Sequence, residues 1–373
     1  MATVIGVPKE IKDMEGRVSM QPDGVAELVH HGHEVIVQSG AGAGAGFSDE
    51  EYTEAGARVV DGPDEVFEAA DLIVKVKEPV PEEYDCFKEG QQLFTYLHLA
   101  ADKGLTEFLM ERKINSIAYE TVEADDGSLP LLTPMSEVAG RMAIQAAAHH
   151  LESPQGGAGL LLGGVPGTPA AKVTIIGGGV VGTEAAKIAV GMRAIVRVLD
   201  VNPKRLAYLS DIFEGRVDLV IPNRARTAFY VAESDVVVGA VLVHGAKAPK
   251  IITREMVASM RPGSVVADVA IDQGGCIETA RPTTHSEPTY VEEGVVHYCV
   301  ANIPGAVART STLALTSATL PYLIKIADNG IEGAAAEDPA LAKGLSTLRG
   351  ELVSEPVAEA HDLSFTDAGK ILG

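Results

Sequence analysis

Tryptophan is absent and cysteine is scarce: Cys86, Cys276 and Cys299 are far apart and odd in number. Three such thiols build no disulfide framework, and none sits in a CxxC or other metal-ligand spacing, which points to a reducing compartment. Basic residues are few, 30 against 52 acidic ones, for a formal net charge of −22. A surface of that sign repels phosphodiester backbones and anionic lipid heads, so no nucleic-acid and no membrane partner is expected. Long apolar runs are missing too. The longest uncharged stretch, 153–171, is interrupted by six glycines and three prolines and makes no spanning helix. The chain starts directly on a strand-like Thr3-Val4-Ile5-Gly6-Val7, without the basic-then-apolar order of a signal peptide, and a cytoplasmic location is the expectation.

What is present is the composition of a folded enzyme, with 46% hydrophobic residues, many of them small and aliphatic, more than disordered chains carry. At 373 residues the chain exceeds one compact core, which predicts two domains. The first third alternates strand-like runs (3–7, 34–38, 72–76, 93–97, 116–118) with amphipathic stretches (24–31, 51–56), the pattern of βαβ units and a parallel sheet. Apolar residues at helical spacing over 134–150 predict a long helix bridging two lobes. After a Gly/Pro-rich segment at 155–169, a second alternation runs through 172–176, 195–199, 217–221, 235–240 and 264–270. A helix-like 310–327 returns the chain to the first lobe, and the tail from Gly330 is Ala- and Glu-rich with scattered Leu. The expected architecture is α/β: two Rossmann-like doubly wound domains with a cleft between them. One, 131–306, is inserted in a discontinuous partner formed by 1–130 and 307–373.

The strand Val173-Thr174-Ile175-Ile176 runs into Gly177-Gly178-Gly179-Val180-Val181-Gly182, and a helix follows over 183–191. In that setting GxGxxG reads as a dinucleotide loop. Gly177 permits the turn, Gly179 admits a pyrophosphate, Gly182 lets the helix pack closely, and the helix start offers N–H groups to the anion. The next strand, 195–199, ends at Asp200, where an acid meets the adenosine ribose hydroxyls. Asp200 would repel a 2′-phosphate, so NAD is expected over NADP, although Lys204 and Arg205 follow closely; Lys204 reads as the solvated first turn of a helix.

Ionisable residues at strand ends are the candidates for chemistry. Arg17 lies in the polar loop after the first strand, where a guanidinium can grip a carboxylate by two parallel hydrogen bonds, although an arginine in a loop is more often simply a surface residue. Lys75 and Lys77 flank Val76 and, on strand periodicity, share a face; they suit either the mouth of an α/β cleft or a salt-bridged edge. His98 closes the run Leu93-Phe94-Thr95-Tyr96-Leu97 and is either a proton-transfer group or a hydrogen-bonded core histidine. Asp272 follows Asp268-Val269-Ala270-Ile271 at another strand end, and Asp268 is expected to pair locally. The pairs His30-His31 and His149-His150 have no metal-ligand spacing and read as solvated helix ends.

Taken together, the blocks GVPKEIKDMEGRV (6–18), KVKEP (75–79), FTYLHLAA (94–101), PMSEVAGR (134–141), GAVLVHGAKAP (239–249), AIDQGGC (270–276) and VANIP (300–304) resemble the alanine dehydrogenase family over nearly the whole chain. The resemblance implies an NAD-dependent amino-acid dehydrogenase that interconverts L-alanine with pyruvate and ammonia, as a homo-oligomer, commonly a hexamer. It implies that Arg17 and Lys77 hold the substrate and that His98 and Asp272 are the acid/base pair. The implied cofactor contacts are Ser136, Gly177, Gly179, Val180, Val181, Gly182, Asp200, Arg205, Val241, Leu242, Val269, Ala270, Ile271, Asp272, Val300, Ala301, Asn302 and Ile303. Pro222 departs from the pattern, standing where a serine on the adenine side is common. The competing resemblance is to the soluble NAD-binding subunit of a proton-translocating transhydrogenase, which shares the Arg17 and Lys77 neighbourhood but lacks the histidine-bearing block at 94–101.

Overall fold

The computed structural model describes residues 2–241 and 248–372, and Leu242 among the expected cofactor contacts lies outside them. The chain divides into two compact units, Met1–Met135 with Val307–Gly373, and Ser136–Ala306.

Along the chain the first unit contributes β1 (Val4–Val7), β2 (Glu34–Gln38), β3 (Arg58–Val60), β4 (Leu72–Val74), β5 (Gln92–Thr95) and β6 (Asn115–Ala118). The second follows with β7 (Lys172–Ile176), β8 (Ile195–Leu199), β9 (Val217–Val220), β10 (Val236–Gly239), β11 (Val265–Asp268), β12 (Thr289–Glu292) and β13 (Val295–Tyr298). Then β14 (Leu345–Leu348) and β15 (Glu351–Leu352) complete the first unit. Its sheet has the order β15-β14-β6-β5-β4-β1-β2-β3, and that of the second unit has β12-β13-β11-β10-β7-β8-β9. Apart from the antiparallel pairings of β12, β14 and β15, the strands run parallel. Helices cover both faces of such sheets, which is why central strands such as VVVG at β10 are buried at every position and carry no polar alternation.

In each sheet the order in which parallel strands are added reverses once, between β1 and β4 in one unit and between β7 and β10 in the other. Loops leaving the carboxyl ends of strands on either side of such a switch point diverge and leave a crevice, the place where open α/β sheets bind ligands.

Several details differ from the sequence reading. The strands within the runs 72–76 and 93–97 end at Val74 and Thr95: Lys75 N–H makes a last bond to the Phe94 carbonyl, after which Val76 donates to Glu10, and Leu97 donates to Glu120. Lys75 and Lys77 therefore do not share a strand face. The short β3 was not foreseen, and neither were β14 and β15 in the Ala- and Glu-rich tail, where burial rather than β-propensity selects the strand: LSTL is buried at all four positions. The return helix runs Ala308–Glu337 with a break at Gly330. His150 is buried against Tyr298, with ring centroids 5.8 Å apart, rather than solvated at its helix end.

Candidate active site

In the first unit, the expected substrate groups all leave carboxyl ends of parallel strands. Arg17 lies in the loop after β1, Lys77 follows β4, and His98 follows β5. Arg17 is 2% exposed, and a buried guanidinium needs a partner. Glu15 provides one: its carboxylate accepts from Arg17 Nε at 2.7 Å and Nη2 at 2.5 Å. Burial opposes the charge on Arg17, but Glu15, joined by Tyr96 and Glu10, raises the guanidinium above its ordinary value. Arg17 Nη1 points at the Met135 sulfur, 3.3 Å away, a weak acceptor that a carboxylate oxygen readily replaces.

His98 is exposed and has left-handed backbone, φ 50°. That conformation costs a side-chain-bearing residue about 1–3 kcal/mol, so something must hold it. Glu120 does so, accepting the backbone N–H of His98 at 2.6 Å and of Leu97 at 3.2 Å. Tyr96 lies parallel to the His98 ring with centroids 5.9 Å apart, and its hydroxyl donates to the Leu131 carbonyl at 2.6 Å. Burial raises that phenol's pKa, and the Arg17 charge opposes the rise.

Lys77 is half-buried, and its carbonyl accepts from Thr95 Oγ1 at 3.1 Å. Its neighbour Glu78 pairs with Lys12. Burial alone would raise the Glu78 carboxyl, but Lys77, His98 and Lys12 together hold it below its ordinary value. Lys75, by contrast, is fully buried between Glu10 and Glu83, with Nζ at 3.1 and 2.7 Å from their oxygens. It is salt-bridged and turned into the unit, and only Lys77 of the pair remains a candidate for substrate.

In the second unit β7 enters the glycine loop. Gly177 has φ 101°, a left-handed value suited to glycine. A Cβ on Gly182 would lie 1.8 Å from the Gly177 carbonyl oxygen, so only glycine lets the helix Val180–Gly191 start this close. A Cβ on Gly179 would meet nothing within 4 Å, and the helix start there has no side-chain cap. An uncapped helix start beside open space is what a pyrophosphate requires. Asp200 at the end of β8 accepts from the Gly178 N–H at 2.6 Å, which puts a carboxylate at the loop. Arg205 turns back onto the loop as well, Nη2 donating to the Gly179 carbonyl at 3.2 Å and to Thr183 Oγ1 at 2.7 Å, while Val241 packs beside Gly177. These residues fit a dinucleotide.

The other expected contacts come from one helix start and two strand ends. Ser136 lies in the first turn of the helix Thr133–His150. Val269, Ala270, Ile271 and Asp272 form a single turn after β11, in which Asp272 is exposed. Asp268 is buried and caps that turn, accepting from Ala270 and Ile277 N–H at 3.1 and 3.0 Å, the local pairing expected of it. Val300, Ala301, Asn302 and Ile303 follow β13, with Asn302 left-handed at φ 77°. Among the described residues no cluster of histidine, cysteine and carboxylate groups could hold a metal, and no helix is long and apolar enough to cross a membrane. Sequence reasoning missed Glu10, Glu15, Glu83, Tyr96, Glu120 and Met135; the acids among them leave no local pattern, and only their contacts reveal them.

Residues 6–139 match the alanine dehydrogenase/PNT N-terminal domain, and residues 143–355 match the C-terminal domain of the same family. The chain is 58% identical to an alanine dehydrogenase of Methanococcus maripaludis, over 99% of both chains. It is 56% identical to one of Halomonas elongata, over 99% of this chain and all of that one. Among solved structures, an L-alanine dehydrogenase superposes with a TM-score of 0.93 at 52% identity, covering 96% of this chain and 99% of the other. A transhydrogenase from Sinorhizobium meliloti superposes at 0.79 with 26% identity, over 94% and 99%. The chain belongs to the alanine dehydrogenase/PNT family.

Proposed function

We propose that this chain is an L-alanine dehydrogenase, oxidising L-alanine to pyruvate and ammonia with NAD and running the reverse reductive amination. The observation that carries the reading is the set of Arg17, Lys77 and His98 on adjoining strand-end loops of a chain related over its full length to alanine dehydrogenases.

Arg17 binds the substrate carboxylate. Glu15 already occupies its Nε edge, so the carboxylate takes the Nη1 side, in place of the Met135 sulfur. Lys77 donates to the substrate oxygen. NAD, held by the glycine loop, would supply the acceptor for the hydride from the substrate Cα. His98 and Asp272 carry the protons as water adds to the resulting imine and ammonia leaves; such positioned acid/base groups contribute about 10²–10⁴-fold to rate. The glycine loop holds the pyrophosphate, and Asp200 accepts from the ribose hydroxyls and repels a 2′-phosphate. Ser136, the turn Val269–Gln273 and residues 300–303 supply the remaining cofactor contacts. Assembly as a homohexamer and a cytoplasmic location go with this reading; light scattering on the purified protein tests the first.

The test is absorbance of NADH formed by the purified protein from NAD and L-alanine, with D-alanine, glycine and NADP in parallel. Reduction with L-alanine and NAD alone is the expected result. NAD binding without turnover in either direction overturns it and favours a transhydrogenase-type partner module.

A further inference from the structure

One buried ionic cluster in the first unit belongs to no step above. Glu10, 6% exposed, leaves the loop after β1 and reaches across the switch point to the segment after β4. Its Oε1 accepts the Val76 N–H at 2.6 Å and the Lys77 N–H at 3.3 Å, while Oε2 faces Lys75 Nζ at 3.1 Å. Lys75 Nζ also donates to Glu83 Oε1 at 2.7 Å, and Glu83 Oε2 takes the Val80 N–H at 3.0 Å. Lys75 N–H still reaches the Phe94 carbonyl of the neighbouring strand, at 3.2 Å, and beyond it these carboxylates take over as acceptors for the N–H groups of Val76, Lys77 and Val80.

The composition of the cluster is informative. Two carboxylates share one ammonium, one more than is needed to pair it. Burial raises the Glu10 carboxyl, with Lys75 and the Val76 N–H opposing it. A cluster serving only to bury Lys75 would be complete with Glu83. The second carboxylate is accounted for by the two peptide N–H groups on which Oε1 sits, one of which is that of Lys77. With Thr95 on the Lys77 carbonyl, both polar groups of that residue's backbone are held by side chains from other parts of the unit.

We propose that Glu10 is a positioning residue for substrate binding: it fixes the Lys77 backbone relative to the loop that carries Arg17, and so sets the spacing of the two groups that grip the substrate. Glu10 lies seven residues before Arg17 in the same loop and bonds to Lys77 directly. The inference rests on the assignment of Arg17 and Lys77 to substrate.

Two variants separate this role from a merely structural one. Both Glu10→Gln and Glu10→Met leave Lys75 paired with Glu83, with no orphaned charge, but only Gln retains an oxygen acceptor for Val76 and Lys77. In reductive amination, Glu10→Met is expected to raise the KM for pyruvate about ten- to hundredfold, the scale of a small misplacement of a binding group. NADH affinity, followed by its fluorescence, stays unchanged. Glu10→Gln restores pyruvate KM to within about threefold of wild type, since a neutral acceptor retains much of the hydrogen bond. Glu10→Ala makes the same deletion should the Met variant not fold. A wild-type pyruvate KM in the deletion overturns the proposal, as does an elevation that Glu10→Gln shares in full or that NADH affinity follows in parallel. Lys77→Gln run alongside tests the underlying assignment: an unmoved pyruvate KM there removes that assignment and the proposal with it. An elevated one beside a wild-type Glu10→Met overturns the proposal alone.

Discussion

Glu120 holds His98 by its backbone: Oε1 accepts the His98 N–H at 2.6 Å and stands 3.9 Å from Nδ1 of the ring. The left-handed turn that presents the imidazole thus depends on a carboxylate 22 residues further along the chain. Losing a hydrogen bond to a charged acceptor costs about 1.5–3 kcal/mol, which on a rate is about ten- to hundredfold. Glu120→Ala is expected to lower kcat by that factor with NADH affinity intact, Glu120→Gln by less, and His98→Ala by about 10²–10⁴-fold. Steady-state kinetics in both directions reads all three, and a wild-type kcat in Glu120→Ala means the turn holds itself.

Gly182→Ala tests the closeness of the glycine loop. The added methyl would meet the Gly177 carbonyl oxygen, 1.8 Å away, and that oxygen is backbone that cannot swing aside. Overpacking of this kind costs about 1–3 kcal/mol or more. A lower Tm and loss of NADH binding by calorimetry are the expected results; retained NADH affinity would show that the helix start shifts without harm.

Asp200 is argued to select the cofactor. Besides the Gly178 N–H, it accepts the Asn202 N–H at 2.7 Å, so its carboxylate is fixed in place before any ribose arrives. Asp200→Ala removes the ribose acceptor and the repulsion of a 2′-phosphate together. The kcat/KM ratio for NADH over NADPH is expected to fall at least about tenfold, the worth of one such polar contact. An unchanged ratio places the discrimination elsewhere.

A pH dependence of stability follows from His297. Its Nδ1–H donates to the Val295 carbonyl at 2.9 Å, so Nε2 is the acceptor for Thr279 Oγ1 at 2.7 Å. Burial lowers this imidazole below its ordinary 6.5, and a proton on Nε2 would remove that acceptor. The unfolded chain takes the proton first as pH falls. The stability contributed by the neutral ring is therefore present above pH 6.5 and is lost below it. His297→Asn should flatten the decline of Tm between about pH 6.5 and 5, where a depressed histidine exerts its effect. Parallel curves for variant and wild type would assign the acid-side decline to other groups.

The nucleotide half was legible because its signals are local: an apolar strand, three spaced glycines, a helix and an acid at the next strand's end fall within 172–200. His98 and Asp272 stood out as candidates for a related reason, as ionisable residues closing apolar runs, and Arg17 as a guanidinium in the polar loop after a strand. Their partners were not. Glu10 acts on residues 65 to 67 positions away, and Glu120 acts on a turn in another loop. A lone glutamate in a loop has no periodicity to announce this. Lys75 and Lys77 looked alike because strand alternation was extended two residues too far; once Glu10 replaces the ladder at Val76, one lysine turns inward and the other does not.

The junction of β6 and β14 has a consequence for biosynthesis. Ser116 and Thr347 bond through their hydroxyls at 2.6 Å, yet stand 231 residues apart. A ribosome adding about 5–20 residues per second needs roughly 12 to 46 s to cover that interval. Throughout it the nascent first unit carries an open β6 edge, with backbone groups free to template foreign strands, while the whole inserted unit is made and can fold. The hazard is greatest where many copies are translated together on one message. Slowing elongation between Ala118 and Leu345 would lengthen the exposure, and supplying the C-terminal segment early, by circular permutation, would abolish it.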